Sequence, residues 1–551
     1  MITLLASVSQ GAETVGPGPV VVTVYNRVLN PVDDRLFGQF MERASGGEPG
    51  FDAARDPEHP RTLRPDVVEK LAWLQAPVVR WPAGSDLPRI DWRDLIDNVP
   101  GRKGGRPPVF VKNRHGTVSN EFGLDEFLAL AEKLGWAPLL PVRIEGALLG
   151  DVSLEAGARE AAGLVAYCNA EVGAKLPRGL PDWPAVRAKN GRVAPWKVPY
   201  FQLGNETWFT FNPALKRRGL AAASDKEKAE CYLTCLRAYL KAVHAVDPRA
   251  QVIVDGVTGA GRWVDQAIFS DPFLREQVAF FALHHYQPWG ITEAQRDGAV
   301  VPLSQVTAEQ SWYACVTTPA INRETFQSET PGYPEWWLMR DLGLPVAVTE
   351  WNWNGWWAKK GPGDSELAKG LGAAGMLHAF MRQGDQVRIA CQSMLVGKKW
   401  GITGVRLADG QAPRILPTAM ATGLYSRYHG RDRLFTEMTN LPAFEQPLRL
   451  GSLTPAPRVA VLDIVVTRRD RMLYLHAINR HRHDAVSARF EIGRLGTGTG
   501  TAILHTLTGP LEPGEKAGGA DITERRIEVP TDAVPVEFPA RSVTVVEVPL
   551  H

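Results

Sequence analysis

Cysteine is scarce in this chain: five in 551 residues, at Cys168, Cys231, Cys235, Cys315 and Cys391. Scattered and odd in number, they exclude a disulfide framework and a zinc ribbon. Cys231 and Cys235 stand four apart in a helical pattern, where two buried thiols are the expected arrangement. An excess of charge is missing too, since 62 Lys and Arg against 60 Asp and Glu leave +2. That balance gives no electrostatic case for nucleic acid or an anionic membrane as the main partner. No apolar run approaches the roughly 20 residues that cross a bilayer. A nucleotide-binding glycine fingerprint and internal repeats are also lacking. The first residues, Ile2–Val8, are apolar but lack the basic start of a signal peptide. Residues 1–17 read as a leader or signal remnant, and both a cytoplasmic and an exported location stay open.

What is present is a globular composition, 44% hydrophobic and 22% charged, which excludes disorder on a large scale. The length calls for about two to four domains. After a β-branched run at Val20–Val24, short apolar segments alternate with longer amphipathic ones. Eight of them read as strands: Leu36–Met41, Val78–Pro82, Pro138–Ile144, Tyr200–Gly204, Gln251–Val257, Phe280–Tyr286, Pro345–Glu350 and Val387–Val396. Between them Leu124–Leu134, Glu160–Val172, Glu227–Val246 and Ser365–Arg382 have helical periodicity. Eight such units predict an α/β fold, a (β/α)8 TIM barrel over residues 33–430. A doubly wound open sheet is the alternative. Beyond residue 431 short strands dominate: Val459–Val466, Met472–Asn479, Ala488–Ile492, Ile503–Leu507 and Ser542–Val548. They predict a C-terminal all-β sandwich, jelly-roll-like, over residues 431–551, joined by the N-terminal strand of residues 18–32. The run Asn479-Arg480-His481-Arg482-His483-Asp484 reads as a solvated turn between two of these strands rather than a metal site.

In such a barrel the active site lies at the C-terminal ends of the strands. Strand four ends Asn205-Glu206 and continues Thr207-Trp208-Phe209. Strand seven ends Glu350 and continues into Trp351-Asn352-Trp353-Asn354-Gly355-Trp356-Trp357. Two carboxylates facing each other across the mouth suit glycoside hydrolysis, one giving a proton to the leaving oxygen and the other attacking the anomeric carbon. Aromatic neighbours such as Trp208 can raise a carboxylic acid's pKa into the acid role. Since loops after barrel strands lie at the surface, one or two rings of the Trp351–Trp357 run are expected to form a sugar-stacking wall. His284 and His285 lack a further ligand at metal spacing, so hydrogen bonding at the rim is expected of them.

The motifs resemble glycoside hydrolase family 51, the α-L-arabinofuranosidases of clan A. The resemblance is carried by Phe37-Gly38-Gln39-Phe40-Met41-Glu42, Arg80-Trp81-Pro82-Ala83-Gly84, Asn120 to Phe127, Tyr167-Cys168-Asn169, Arg187 to Gly191, Leu203-Gly204-Asn205-Glu206, Glu350-Trp351-Asn352 and Leu507-Thr508-Gly509. It implies a barrel with a C-terminal sandwich. It implies Glu206 as the general acid/base and Glu350 as the nucleophile. Asn205 would bind the sugar 2-hydroxyl, Tyr286 would hold the nucleophile, and Glu42 would bind sugar hydroxyls. An oligo- or polysaccharide substrate and a homo-oligomer follow from the same resemblance; no cofactor or metal is implied.

The departures from that pattern are as informative. Ser85 stands where the family has a sugar-binding Asn. Arg143-Ile144-Glu145 replaces an Asn followed by small residues, and Met394 and Gly397 stand for a Gln and an Asn. Arg143 has two readings, a fork for an anionic sugar or an ion pair with Glu145 or another rim carboxylate. The expected activity is that of a retaining α-L-arabinofuranosidase on plant or algal polysaccharide. The alternatives are a clan A enzyme of other specificity (an endo-glucanase or xylanase, a β-glycosidase, a galactofuranosidase) and a non-catalytic carbohydrate-binding protein. The substrate-binding candidates are Glu42, Ser85, Arg143, Asn205, Trp208, His284, Tyr286 and Trp351.

Overall fold

The computed structural model describes residues 18–111, 116–256, 262–288, 291–317, 343–355, 365–451, 453, 455–495, 500–510 and 519–551. Each of the eight anticipated barrel segments contributes a parallel strand. After β1 (Val20–Pro31) they are β2 (Gly38–Phe40), β3 (Val78–Arg80), β4 (Ala137–Val142), β5 (Tyr200–Leu203), β6 (Gln251–Asp255), β7 (Phe280–Tyr286), β8 (Val346–Asn352) and β9 (Val387–Gln392). They pair in sequence order and close, β7 on β8 and β9 on β2, into a barrel. Apolar runs buried on both faces are what such strands require; every residue of β8 is buried. The open sheet is therefore excluded.

Seven helices matter below: α1 (Leu124–Leu134), α2 (Leu154–Asn169), α3 (Trp208–Arg217), α4 (Asp225–His244), α5 (Ala308–Val316), α6 (Glu366–Gln383) and α7 (Pro417–Arg427). Local chemistry sets their ends. α1 stops at Gly135, whose φ of 73° is cheap only for glycine. α2 starts six residues before the periodicity suggests because Ser153 accepts the Ala156 N–H. α4 opens with Ser224 and Glu227 satisfying each other's backbone N–H. No helix among the described residues is long and apolar enough to cross a membrane.

The C-terminal part adds β10 (Asp432–Thr439), β11 (Leu462–Arg469), β12 (Met472–Asn479), β13 (Val486–Glu491), β14 (Thr501–Thr508), β15 (Asp521–Glu528), β16 (Ala533–Phe538) and β17 (Ser542–Pro549). They form a sheet in the order β15-β14-β17-β12-β11-β10-β1-β13-β16. The N-terminal strand β1 sits inside it, antiparallel to β10 and parallel to β13, with register shifts between Val24 and Asn30 that bend it. The anticipated strand Val459–Val466 is in fact two, Ala456–Ala460 pairing with Ala443–Gln446 and β11 entering the large sheet.

The turn after β12 corrects an expectation. Its first half is buried, Asn479, Arg480 and His481 being at most 6% exposed, and only its tip, His483 and Asp484, is solvated. Arg480 donates to the carbonyls of Val316 and Ala460 and meets Asp463 at 2.8 Å, while Arg482 and His483 reach Glu309 on α5. Trp312 of α5 returns a hydrogen bond to the Arg480 carbonyl. The polar run is thus the seam between sheet and barrel. At its centre Asp463 of β11 also meets Arg382 and His378 of α6. All five cysteines are unpaired; Cys235 is buried and Cys231 half-buried.

Asp463 is buried, which would raise its carboxyl, but the charges of Arg382, Arg480 and His378 outweigh that and hold it well below the usual carboxylate range. Its stabilising contribution is therefore complete above the unfolded carboxylate's pKa and is lost only as pH falls toward the lower folded value. Removing it leaves the charges of Arg382 and Arg480 in the seam without their shared counter-charge. Asp463→Ala is expected to lower unfolding stability by about 3–5 kcal/mol at neutral pH. Chemical denaturation of both proteins at neutral and acid pH checks this, with the difference between them shrinking in acid.

Candidate active site

The barrel strands bring their C-terminal ends to one mouth, and pairing register decides which side chains meet there. On β7 and β8, His284 lies level with Glu350 and Tyr286 with Asn352. Side chains alternate along a strand, so His284 and Tyr286 reach the mouth while His285 turns away. Burial pushes the His285 pKa down to about 3, so it is neutral.

Glu350 is the most heavily held group. Arg80 Nη1 donates to its Oε1 at 2.7 Å and Tyr286 Oη to its Oε2 at 2.9 Å. His284 Nδ1 lies 3.5 Å from that second oxygen. Burial would raise the Glu350 carboxyl, but the His284 and Arg80 charges and the hydrogen bonds of Arg80 and Tyr286 prevail and keep it below the usual range. It is an anion at neutral pH. Tyr286, pushed well above the ordinary tyrosine value by burial and by the Glu350 charge, stays a donor, with Ser393 Oγ 2.8 Å from its oxygen.

Glu206 follows β5 and has different company. Its polar contact is His284 Nδ1 at 3.1 Å, and its side chain is 19% exposed against 9% for Glu350. One oxygen of each glutamate and the His284 nitrogen lie within 4.8 Å of one another. Burial lowers the His284 pKa, yet the charges of Glu350 and Glu206 raise it above the ordinary value overall. Trp208, half-buried at the start of α3, stands edge-on to the His284 ring at 5.4 Å.

Three donors so close also have the spacing of a metal-ligand set. Arg80, however, already places a cation 2.7 Å from Glu350; a metal ion would have to share that carboxylate with a fully buried guanidinium.

Arg80 organises the remainder. Its Nε donates to Gln202 at 3.0 Å and its Nη2 to Asn205 Oδ1 at 2.5 Å, and its guanidinium lies 4.4 Å from the Phe40 ring centre. With Oδ1 engaged, Asn205 keeps its Nδ2 as a donor for a ligand. Glu42, 6% exposed, accepts the Gly84 N–H at 3.0 Å. Burial first, then the nearby Glu350 charge, raise its pKa to about 8. Arg80, Gln202 and Gly84 are not among the site residues expected from sequence, although Arg80 and Gly84 belong to the run Arg80-Trp81-Pro82-Ala83-Gly84. The available signal was an arginine closing the apolar strand Val78-Val79-Arg80.

Six of the expected site residues, Glu42, Asn205, Glu206, His284, Tyr286 and Glu350, gather here, with Trp208 beside them. Ser85 is exposed next to Gly84. Of the two readings of Arg143 the structure shows the ion pair, with Glu160 at 2.6 and 2.8 Å and Asp91 at 3.1 Å in place of Glu145, so its place among the sugar-binding candidates is corrected, as is that of Trp351. Trp351 is fully buried, edge-on to Phe380 of α6 at 5.2 Å. Trp353 is also fully buried, against Gly372. Neither forms a stacking wall; Trp356 and Trp357 lie outside the described residues.

Residues 70–288 match the family model described as the alpha-L-arabinofuranosidase 1 domain. The chain is 26% identical over 392 residues to a probable alpha-L-arabinofuranosidase C of Aspergillus flavus, covering 69% of each protein. It is 30% identical over 281 residues to an exo-alpha-(1->6)-L-arabinofuranosidase of Bifidobacterium longum, covering 49% of this chain and 46% of that protein. In fold it is similar to the family 51 α-L-arabinofuranosidase of Thermotoga petrophila. The TM-score is 0.68 at 20% identity, over 96% of this chain and 100% of that one. Together these likenesses support a glycoside hydrolase acting on O-glycosyl bonds, similar in sequence to α-L-arabinofuranosidases and in fold to the family 51 structures.

Gly84 tests the geometry. A Cβ there would lie 2.9 Å from Glu350 Oε1 and 3.0 Å from Glu42 Oε1. Both oxygens are held by hydrogen bonds, so Gly84→Ala must move them. The expected result is an unchanged far-ultraviolet circular dichroism spectrum and a fall in kcat of about 10²-fold, the usual effect of misplacing a catalytic group by about 1 Å.

Proposed function

We propose that the chain hydrolyses α-L-arabinofuranosidic links in plant or algal polysaccharide by double displacement. Glu350 is the nucleophile and Glu206 the general acid/base. The observation that carries this reading is the unequal company of two close carboxylates. Oxygens within 4.8 Å favour the spacing of retaining enzymes, about 5–5.5 Å between carboxyls, over the inverting one of about 6.5–9.5 Å, which leaves room for a water. Glu350, clamped by Arg80 and Tyr286, suits a permanent anion. Glu206, more exposed and away from the guanidinium, suits a group that must give up and regain a proton.

In the first step Glu350 Oε attacks the anomeric carbon and the bond from that carbon to the leaving oxygen breaks. The proton of Glu206 goes to that oxygen, so an alcohol departs and a glycosyl ester remains. In the second step Glu206, now a carboxylate, takes a proton from water. The water oxygen attacks the anomeric carbon, the ester bond breaks, and Glu350 is regenerated. Two inversions give net retention. His284, between the two carboxylates, can follow the charge as it moves from one to the other. Asn205 Nδ2 is placed to donate to a sugar hydroxyl. Glu42, protonated up to about pH 8, offers both a donor and an acceptor.

Ser85, exposed where the resembled family carries a sugar-binding Asn, favours one second reading: the same machinery on another glycone. Losing one hydroxyl-reading group can shift specificity by orders of magnitude.

Aryl α-L-arabinofuranoside, β-D-galactofuranoside, β-D-xyloside, β-D-glucoside and β-D-glucuronide separate the readings. Cleavage of the first, abolished in Glu350→Ala, supports the proposal. Preference for another sugar transfers the mechanism and moves attention to Ser85. Binding without turnover of any glycoside or polymer sinks the enzyme reading. EDTA is expected to leave the rate unchanged; a large loss would overturn a metal-free mechanism. kcat/KM should fall in acid as Glu350 takes a proton, below the usual carboxylate range. It should also fall as pH rises through about 8, where Glu42 loses its proton. In Glu42→Gln, which cannot ionise, the alkaline fall near 8 should vanish from the pH profile even if the absolute rate drops.

A further inference from the structure

Glu206 sits in a backbone conformation that glutamate rarely adopts, with φ of 48° directly after Gly204 at 87° and Asn205. A side chain with a Cβ is disfavoured in this left-handed region unless its surroundings hold it there. Two buried carboxylates flank it. The Asn205 N–H, just before Glu206, donates to Glu145 Oε1 at 3.3 Å, and the Thr207 N–H, just after, donates to Asp255 Oδ2 at 2.6 Å. Glu145 is 2% and Asp255 0% exposed.

Each carboxylate is itself fixed. Glu145, at the start of a short helix after β4, takes the Ile144 N–H on its other oxygen at 2.9 Å. Asp255 closes β6, and its carbonyl accepts from Tyr232 Oη of α4 at 2.7 Å. Neither has a lysine, arginine or histidine in salt-bridge reach among the described residues; main-chain N–H groups hold both carboxylates, and on Asp255 the Thr207 hydroxyl and the His284 charge act as well. Burying two carboxyls without a cation is costly, and burial raises Glu145 to about 7 and Asp255 to about 6. Merely filling space would be better served by apolar side chains.

We infer that Glu145 and Asp255 are positioning residues that bracket the peptides on either side of Glu206, hold it in its left-handed conformation and so aim its carboxyl at the leaving oxygen. The inference rests on the reading of Glu206 as the general acid/base. Glu145 and Asp255 touch no substrate atom; they act through the backbone of the residue that does.

The test is the dependence of rate on the leaving group. Two substrates share the glycone that the enzyme cleaves, one with a dinitrophenyl leaving group that needs no proton, the other with a simple alkyl group that does. Glu206→Ala sets the benchmark: turnover of the alkyl glycoside is lost, while release of dinitrophenol persists and azide accelerates it. Asp255→Leu and Glu145→Met keep the volume and remove the acceptor. They are expected to lower kcat/KM on the alkyl glycoside by about 10²-fold and to change it little on the dinitrophenyl glycoside. Asp255→Asn and Glu145→Gln, which retain an acceptor oxygen, should recover most of the loss. If the apolar variants do not fold, Asp255→Glu and Glu145→Asp displace the acceptor while keeping the charge, and the same ratio is read. Equal losses on both substrates, no loss, or no recovery by the amides would overturn the inference while the acid/base reading stands. If Glu206→Ala itself shows no leaving-group dependence, it is the acid/base reading that fails, and this inference falls with it.

Discussion

The site depends on a single buried ion pair, Arg80 with Glu350. A guanidinium with no exposure at all must have its charge and its N–H groups answered by protein, because water cannot do it. Gln202, Asn205 and Glu350 supply the acceptors and the Phe40 ring lies under the plane. These partners stand on or just beyond β2, β5 and β8, with Arg80 itself on β3. One side chain therefore fastens four of the eight strands at the mouth and turns each of them toward the same few cubic ångströms. The ionisation of Glu350, the direction of the Asn205 amide and the packing of β2 are consequences of where that charge sits.

The same pair decides how the other carboxyls behave. Glu42, Glu206 and Glu350 crowd a space that holds one permanent cation and one histidine. Three anions so close repel one another, and the cheapest arrangement gives the guanidinium to one of them and a proton to another. Glu350 takes Arg80. Glu42, deeper than Glu206 and held by the Gly84 N–H, keeps its proton to about pH 8. Glu206 shares His284 with Glu350. Three residues of one type, two of them strand-end, thus acquire three different tasks from neighbours that lie far apart in sequence.

That distance explains what was legible beforehand. Strands buried on both faces announce themselves as apolar runs, so all eight barrel strands could be placed from their sequence, and the two strand-end glutamates with them. Strand β15, exposed along nearly all its length, has no hydrophobic signal, and β16 carries Pro535 in its middle; neither was anticipated. Trp351 misled because β8 continues two residues past Glu350 to Asn352, so the ring belongs to the outward face of a strand and packs on a helix instead of lining a loop. Arg80 was overlooked as a site residue because its importance lies in partners at positions 40, 202, 205 and 350, which nothing local reveals. The start of the Asn479–Asp484 run looked solvated for the same reason: charge suggests water until the buried counter-charge of Arg480, Asp463, is known.

The positions at which this chain departs from the family it resembles show where the altered chemistry has gone. Arg143 is spent on Glu160 and Asp91. Glu145 supports the backbone of Asn205. Met394 is buried. Gly397 leaves space that the carboxylate of Glu48 fills, since a Cβ there would lie 2.7 Å from Glu48 Oε1. That carboxylate, fully buried, accepts the N–H groups of Gly50, Lys398, Lys399 and Trp400 and so ties the loop after β2 to the loop after β9. With Ile144, which is also buried, all the departures but Ser85 have turned inward and become framework. Only Ser85 remains exposed, beside the glycine whose N–H holds Glu42. A group that a sugar would have oriented has become, elsewhere around the mouth, a group that orients the enzyme. Glu206 and Glu350 are held by the protein itself, through His284, Arg80 and Tyr286, and Asn205, Glu42 and Ser85 remain the polar groups around them that this inward turn has not absorbed.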